Sequence, residues 1–141
     1  MRARDILASK GTDVVTIAPD ATLEDAIEAL ARHGIGAVVV AEGHEPVGII
    51  SERDIVRVLA GAPTGFRDSA VRASMTTPVH TVDPDADIDE LLDQMTDRRI
   101  RHLPVCVEGE LAGILSIGDV VKHRIRAVTS EADALRDYIS G

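Results

Sequence analysis

Two short stretches repeat one pattern of chemistry in the two halves of the chain. Gly48-Ile-Ile-Ser-Glu-Arg-Asp54 and Gly113-Ile-Leu-Ser-Ile-Gly-Asp119 each set an apolar pair after a glycine, then a serine, then an aspartate three residues later. Each reads as a buried strand turning into the start of a helix. A helix N-terminus offers free N–H groups and the positive end of a dipole, which suits a phosphate. An ionised carboxylate only accepts hydrogen bonds, so Asp54 and Asp119 suit the two hydroxyls of a ribose. The same carboxylate repels phosphate, so cations must grip that end. Ser51 and Ser116 also fit a plain helix cap, which needs no ligand. Duplication at the same place is what points beyond capping.

The candidate cations differ between the copies. Arg53 in the first corner aligns with Gly118 in the second, while Arg101 and His102 align with Gly36 and Ala37. Lys122 and Arg124 lie further along the last helix. A solvated surface Arg53 and a structural His102 are the plainer alternatives. His33, His44, His80 and His123 make no metal-ligand spacing with one another or with Cys106. Cys106 lies in an apolar run and is expected to be buried and inert. No nucleophile sits in a recognisable elbow and no acid–base pair is set by spacing, so catalysis is not expected.

Composition narrows the partners. The 141 residues carry a net charge of -9, which disfavours a nucleic-acid duplex. Phe66 and Tyr138 are the only aromatic residues of the Phe, Tyr, Trp group, so stacking platforms for single strands are not expected. A small phosphate ligand needs only a few local donors and stays open. A single cysteine precludes an intrachain disulfide and suits a reducing cytoplasm. No apolar run approaches the roughly 20 residues that span a bilayer, and the N-terminus lacks a signal-peptide stretch. No membrane association is expected.

The elements that must position the two corners also come twice. A turn over 4–8, a strand over 14–17, a Thr22-capped helix with Asp25 in the capping box, and a stop at Gly34 lead to strands over 37–41 and 47–50 and a helix over 52–60. The order restarts with a turn over 71–75, a strand over 79–82 and a helix capped by Asp87. Strands over 103–107 and 111–115 and a helix over 117–125 follow. An offset of 65 residues aligns the copies without a gap, Val14 on Val79 and Asp54 on Asp119. An internal repeat outranks any local reading. A unit of this size buries too little surface alone, so the expected fold is α/β (α+β): two pseudo-twofold-related β-α-β-β-α repeats forming one module.

The division expected is residues 1–63, 64–127, and a C-terminal amphipathic helix over 128–141. Ser130 and Asp133 form a capping-box pattern there, and Leu135, Tyr138 and Ile139 share one face. That face is expected to cover the module's own core, with packing on a second subunit as the alternative.

The sequence resembles a tandem pair of CBS domains, the module named after cystathionine β-synthase, of the small stand-alone bacterial type. The resemblance rests on the two Gly-h-h-Ser-x-x-Asp corners, Val15-Thr-Ile-Ala-Pro19, His80-Thr-Val-Asp-Pro84 and Ile100-Arg-His-Leu-Pro-Val105. It implies two clefts between the halves that take adenosine compounds: AMP, ADP, ATP, NAD or, less readily, S-adenosylmethionine. It implies ribose contacts from Asp54 and Asp119 and approach of Ser51 and Ser116 to phosphate. The backbone at Thr16-Ile17 and Thr81-Val82 would read the adenine edge. The Arg101-His102-Leu103-Pro104 segment and Gly118 would line the second cleft. The first repeat has Gly36-Ala-Val-Val39 in place of that segment, so phosphate binding in its cleft depends on Arg53. A homodimer through the repeat helices is also implied. The function expected is a non-catalytic regulatory module with output to a partner protein that the sequence does not identify. A nucleotide-handling enzyme and an interaction module with degenerate clefts are the alternatives.

Overall fold

The computed structural model describes residues 1–61 and 64–140. The expected boundary at residue 63, and part of the linker around it, lie outside the described residues, as does Gly141. The elements are α1 (Ala3–Lys10), β1 (Thr16–Ile17), α2 (Leu23–His33), β2 (Ala37–Glu42), β3 (Glu45–Ser51), α3 (Glu52–Gly61), α4 (Ile88–Arg98), β4 (His102–Val107), β5 (Glu110–Ser116) and α5 (Ile117–Ser140). Short 3-10 turns cover Phe66–Asp68 and Val71–Ala73.

Each half is a hairpin backed by two helices. Residues of β2 are buried on both faces, as its unbroken apolar run requires. The hairpins share one register. Val38 faces Ile50 in the first and Leu103 faces Leu115 in the second, and each has an irregularity one step after Val40 or Val105. Helix α2 starts on the expected reciprocal cap: Thr22 Oγ1 accepts from the Asp25 N–H at 3.2 Å, and the Asp25 carboxylate accepts from the Thr22 N–H at 3.1 Å.

The first strand of the second half is shorter than expected. In the first half β1 pairs in parallel with β2, and the Val39 N–H donates to the Val15 carbonyl. Pro104 stands where Val39 stands and has no N–H to give. The strand expected over 79–82 is therefore reduced to a bridge at Val82, between the Pro104 carbonyl and the Cys106 N–H.

The opening segments are exchanged between the halves. Helix α1 leaves the first half and docks on the second: the Ala3 N–H donates to the Ala86 carbonyl at 2.8 Å, and Ile6 and Leu7 enter a core with Leu91, Met95, Leu103 and Leu115. Conversely, residues 69–76 dock on the first half. The Val71 N–H donates to the Ala21 carbonyl at 2.7 Å, and Val71 joins a core with Leu23, Leu30, Val38 and Ile50. Packing therefore crosses the sequence boundary between repeats. The duplicated glycines permit it. A Cβ on Gly48 would stand 2.6 Å from Met75 Sδ, and one on Gly113 would stand 2.7 Å from Leu7 Cδ2.

The C-terminal helix is present but does not start anew. Helix α5 runs unbroken for 24 residues, and the Ser130–Asp133 cap pattern is not used. Nothing between Ile125 and Ser130 breaks a helix, and extending one is easier than nucleating another. Leu135, Tyr138 and Ile139 do not cover the module's core; they are 60, 84 and 74 % exposed. No helix among the described residues is long and apolar enough to cross a membrane.

Candidate ligand clefts

The two corners fold alike and end in different states. At the first, Asp54 Oδ2 accepts from the Ser51 N–H at 2.8 Å and from the Ser51 hydroxyl at 3.0 Å. Oδ1 accepts from Arg57 at 3.1 Å and from the Thr76 hydroxyl at 3.0 Å. Four donors use the carboxylate's roughly four acceptor sites, and the side chain is only 2 % exposed. At the second, Asp119 Oδ2 accepts from the Ser116 N–H and hydroxyl, both at 2.9 Å, and from Lys10 at 2.6 Å. Oδ1 has no hydrogen-bond partner among the described residues, and the side chain is 26 % exposed. Burial alone would raise the Asp119 pKa. The Lys10 and Ser116 hydrogen bonds outweigh it and hold the group below the ordinary carboxylate value.

Each corner faces the opposite repeat across a cleft. Asp119 and Ser116 share a cleft of 410 Å³ with Lys10 and with Val14, Val15 and Ile35–Ala37 of the first half. That volume lies within the range of about 300–1,000 Å³ common for small-molecule sites. Asp54 and Ser51 share a cleft of 260 Å³ with Thr76, His80 and the Arg98–Ile100 segment of the second half. This crossing reverses the charge expectation. The first corner was expected to lean on Arg53 alone, yet its cleft collects Arg53, Arg57, Arg98 and Arg99 together with His80 and His102. The second corner has Lys10 as its lysine, supplied by the exchanged helix.

Arg99 reaches that cleft from an unusual backbone. It ends α4 at φ 54°, ψ 42°, in the left-handed region. Gly34, its counterpart after α2, takes the same conformation at φ 61°, ψ 40°. A side chain there costs roughly 1–2 kcal/mol that glycine does not incur, and such residues concentrate at functional sites.

His102 stands on the wall of both clefts. Burial lowers its pKa, and Lys10 and Arg101 add to this; Asp119 and Glu52 pull the other way. Arg101 is exposed and meets Arg53 and His102 in a small hollow of 110 Å³ beside them.

Several residues singled out from sequence line neither cleft. Thr16 and Ile17 border a shallow hollow with Arg32 and His33. Val82 and Leu103 belong to the second core, and Pro104 is buried on β4. Thr81 hydrogen-bonds Cys106, whose thiol pKa burial raises. Gly118 is exposed on the first turn of α5. Sequence reasoning missed Lys10, Arg57, Thr76, Arg98 and Arg99 as cleft residues. Lys10 and Thr76 arrive through segment exchange, which no local pattern announces. Arg99 had a signal, its alignment with Gly34. Among the described residues no group of three or more His, Cys, Asp or Glu could hold a metal ion.

The sequence model of the CBS domain matches residues 3–61 and 69–126. The chain belongs to the CBS domain family. A crystal structure of a CBS-domain containing protein from Agrobacterium tumefaciens is 42% identical, with a TM-score of 0.84 over 88% of this chain and 99% of that one. A mitochondrial CBS domain-containing protein of Arabidopsis thaliana is 33% identical over 97% of this chain and 71% of its own length. A CBS domain protein from Pyrobaculum aerophilum, solved in complex with AMP, is 28% identical with a TM-score of 0.76, covering 84% of this chain and 89% of that one. The matched segments are the two CBS repeats that build the clefts above.

Proposed function

We propose that this CBS pair is a non-catalytic sensor of adenosine nucleotides, with AMP, ADP, ATP or NAD as its ligand class. The observation that carries the reading is Asp119 Oδ1, an uncommitted carboxylate oxygen on the wall of the 410 Å³ cleft. It is placed to accept ribose hydroxyls, and Lys10 beside it is the nearby cation for phosphate. Val14, Val15 and residues 35–37 form the opposite wall, a largely apolar surface for the base. The Asp54 cleft, rich in Arg, favours the anionic part of a ligand. Its carboxylate accepts a ribose only by releasing Arg57 or Thr76. The AMP complex of the Pyrobaculum aerophilum relative supports the ligand class.

The test is calorimetric titration of adenosine, AMP, ATP and NAD into wild-type protein and Asp119→Ala. Binding of at least one ligand that weakens in the variant is expected. No binding of any of the four, or unchanged affinity in Asp119→Ala, overturns the ribose assignment. The sensor is a cytoplasmic homodimer in this reading, joined through the repeat helices, with its output passing to another protein. Val56 and Leu59 of α3 are 63 and 49 % exposed, and Val121 and Ile125 of α5 are 40 and 61 % exposed, so apolar surface is available for that contact. Light scattering that finds a monomer at micromolar concentration refutes it.

A further inference from the structure

Six apolar residues of α5 fall on a strict repeat, with the exposed Ile117 and Tyr138 beside it. Val121, Ile125, Val128, Ala132, Leu135 and Ile139 are separated by 4, 3, 4, 3 and 4 residues. Four of them beyond Val121 are large, and they are 49 to 74 % exposed. A spacing averaging 3.5 residues is that of a helix paired along a seam with another helix, whereas a face laid on a globular core follows 3.6 and broadens. Helix α5 already has its core-facing side: Val120 and His123 are buried and Arg124 is paired with Asp89 at 3.2 Å. The repeat lies about a third of a turn away from that side, at about 100° per residue, and continues past the end of the body.

We propose that this stripe pairs with the same stripe of a second copy as a parallel, in-register two-stranded coiled coil. The proposal deepens the homodimer reading and is independent of nucleotide binding. In heptad terms the a positions are Ile125, Ala132 and Ile139 and the d positions are Val121, Val128 and Leu135. Leucine at d beside isoleucine at a, the pairing that favours two parallel strands, occurs at Leu135 and Ile139; Val121 and Val128 hold the other d positions and Ala132 one a position, so the flanking charges carry the direction.

The flanking charges choose the direction. In a parallel pair, Glu131 at g faces Arg136 at the following e of the partner, and symmetry forms that attraction twice. In an antiparallel pair centred on the stripe, Glu131 would face its own copy and Lys122 would face Arg136, so both contacts would be repulsive. Arg136 is free to turn across the seam, because its present partner Asp133 is 3.9 Å away and exposed.

Cysteine cross-linking of the full chain tests the direction. In a Cys106→Ser background, Leu135→Cys puts one thiol per chain at a d position. A parallel dimer brings the two thiols together, and mild oxidation gives a covalent dimer under non-reducing electrophoresis. The Glu131→Arg variant should weaken the dimer, and Glu131→Arg with Arg136→Glu should restore it. Position 135 is exposed, so folding is kept, and an unchanged melting temperature confirms it. A dimer by light scattering that forms no Leu135→Cys cross-link overturns the coiled coil while leaving the homodimer standing. A cross-link only in the Ile125→Cys, Leu135→Cys double variant means an antiparallel pair and overturns the direction. A monomer overturns both readings.

Discussion

Lys10 donates to the Ile114 carbonyl at 2.8 Å and to Asp119 Oδ2 at 2.6 Å, tying the end of the first helix to the start of the last. One side chain thereby helps hold α1 on the second half and brings an ammonium into a cleft that Asp13 and Asp119 also line. Lys10→Met keeps much of the apolar stem and removes the ammonium. It should leave adenosine affinity nearly unchanged and weaken AMP by about 1.5–3 kcal/mol, the range for a charge-assisted hydrogen bond. Paired titrations of adenosine and AMP measure the difference; an equal loss for both ligands counts against a phosphate role.

The two aspartates should fail differently. Asp54→Ala strands the Ser51 N–H, and each buried polar group left unpaired costs about 1–3 kcal/mol. A clear drop in melting temperature is expected. Asp119→Ala removes a more exposed group, so its thermal penalty should be smaller and its binding penalty larger. Calorimetric melting and titration of both variants decide it. Equal melting temperatures for the two would mean that burial does not separate their roles.

Arg99→Gly should stabilise the protein and weaken anion binding together. Glycine takes the left-handed conformation freely, giving a gain of about 1 kcal/mol, while the Asp54 cleft loses a guanidinium. Thermal melting and AMP titration at two salt concentrations read the two effects. A variant with unaltered anion affinity would reduce Arg99 to a strained helix end.

His102 should give nucleotide binding a pH dependence. Its folded pKa lies below the usual 6.5 through burial and Lys10, so the neutral form is favoured in the folded state. Its contribution to stability is therefore complete above about pH 6.5 and is lost as pH falls through the lower folded value. A bound phosphate favours the protonated form and raises that value. Binding should take up a proton, and affinity should increase as pH falls through the bound-state pKa. Titrations at pH 6 in buffers of different ionisation enthalpy detect the uptake. A buffer-independent enthalpy, or an effect that survives His102→Asn, contradicts it.

Much of the fold was legible because the repeat announced it. The 65-residue offset placed both hairpins, the Thr22 and Asp87 caps and both corners at the correct positions. What stayed hidden is non-local. The sequence marks Gly48 and Gly113 as repeated without revealing that Met75 and Leu7 lie against them. Pro104 was read as part of a ligand segment, and its missing N–H also shortened a strand. The tail's cap pattern at Ser130 was outweighed by a helix with no reason to stop. At the site, Asp54 and Asp119 look equivalent in sequence. Their difference lies in their donors: Thr76 from the exchanged segment and Arg57 from the same helix for one, Lys10 from α1 for the other.

The exchange of opening segments also bears on how the protein is made. Helix α1 is synthesised before the surface that receives Ile6 and Leu7, which is built from residues as late as Leu115 and Val120. Helix α1 therefore docks late, and the nascent chain carries it unsheltered until those residues are made. The first hairpin must likewise wait for Val71 to emerge before its own core closes. The second core therefore closes only once Val120 has emerged, well after the first can close.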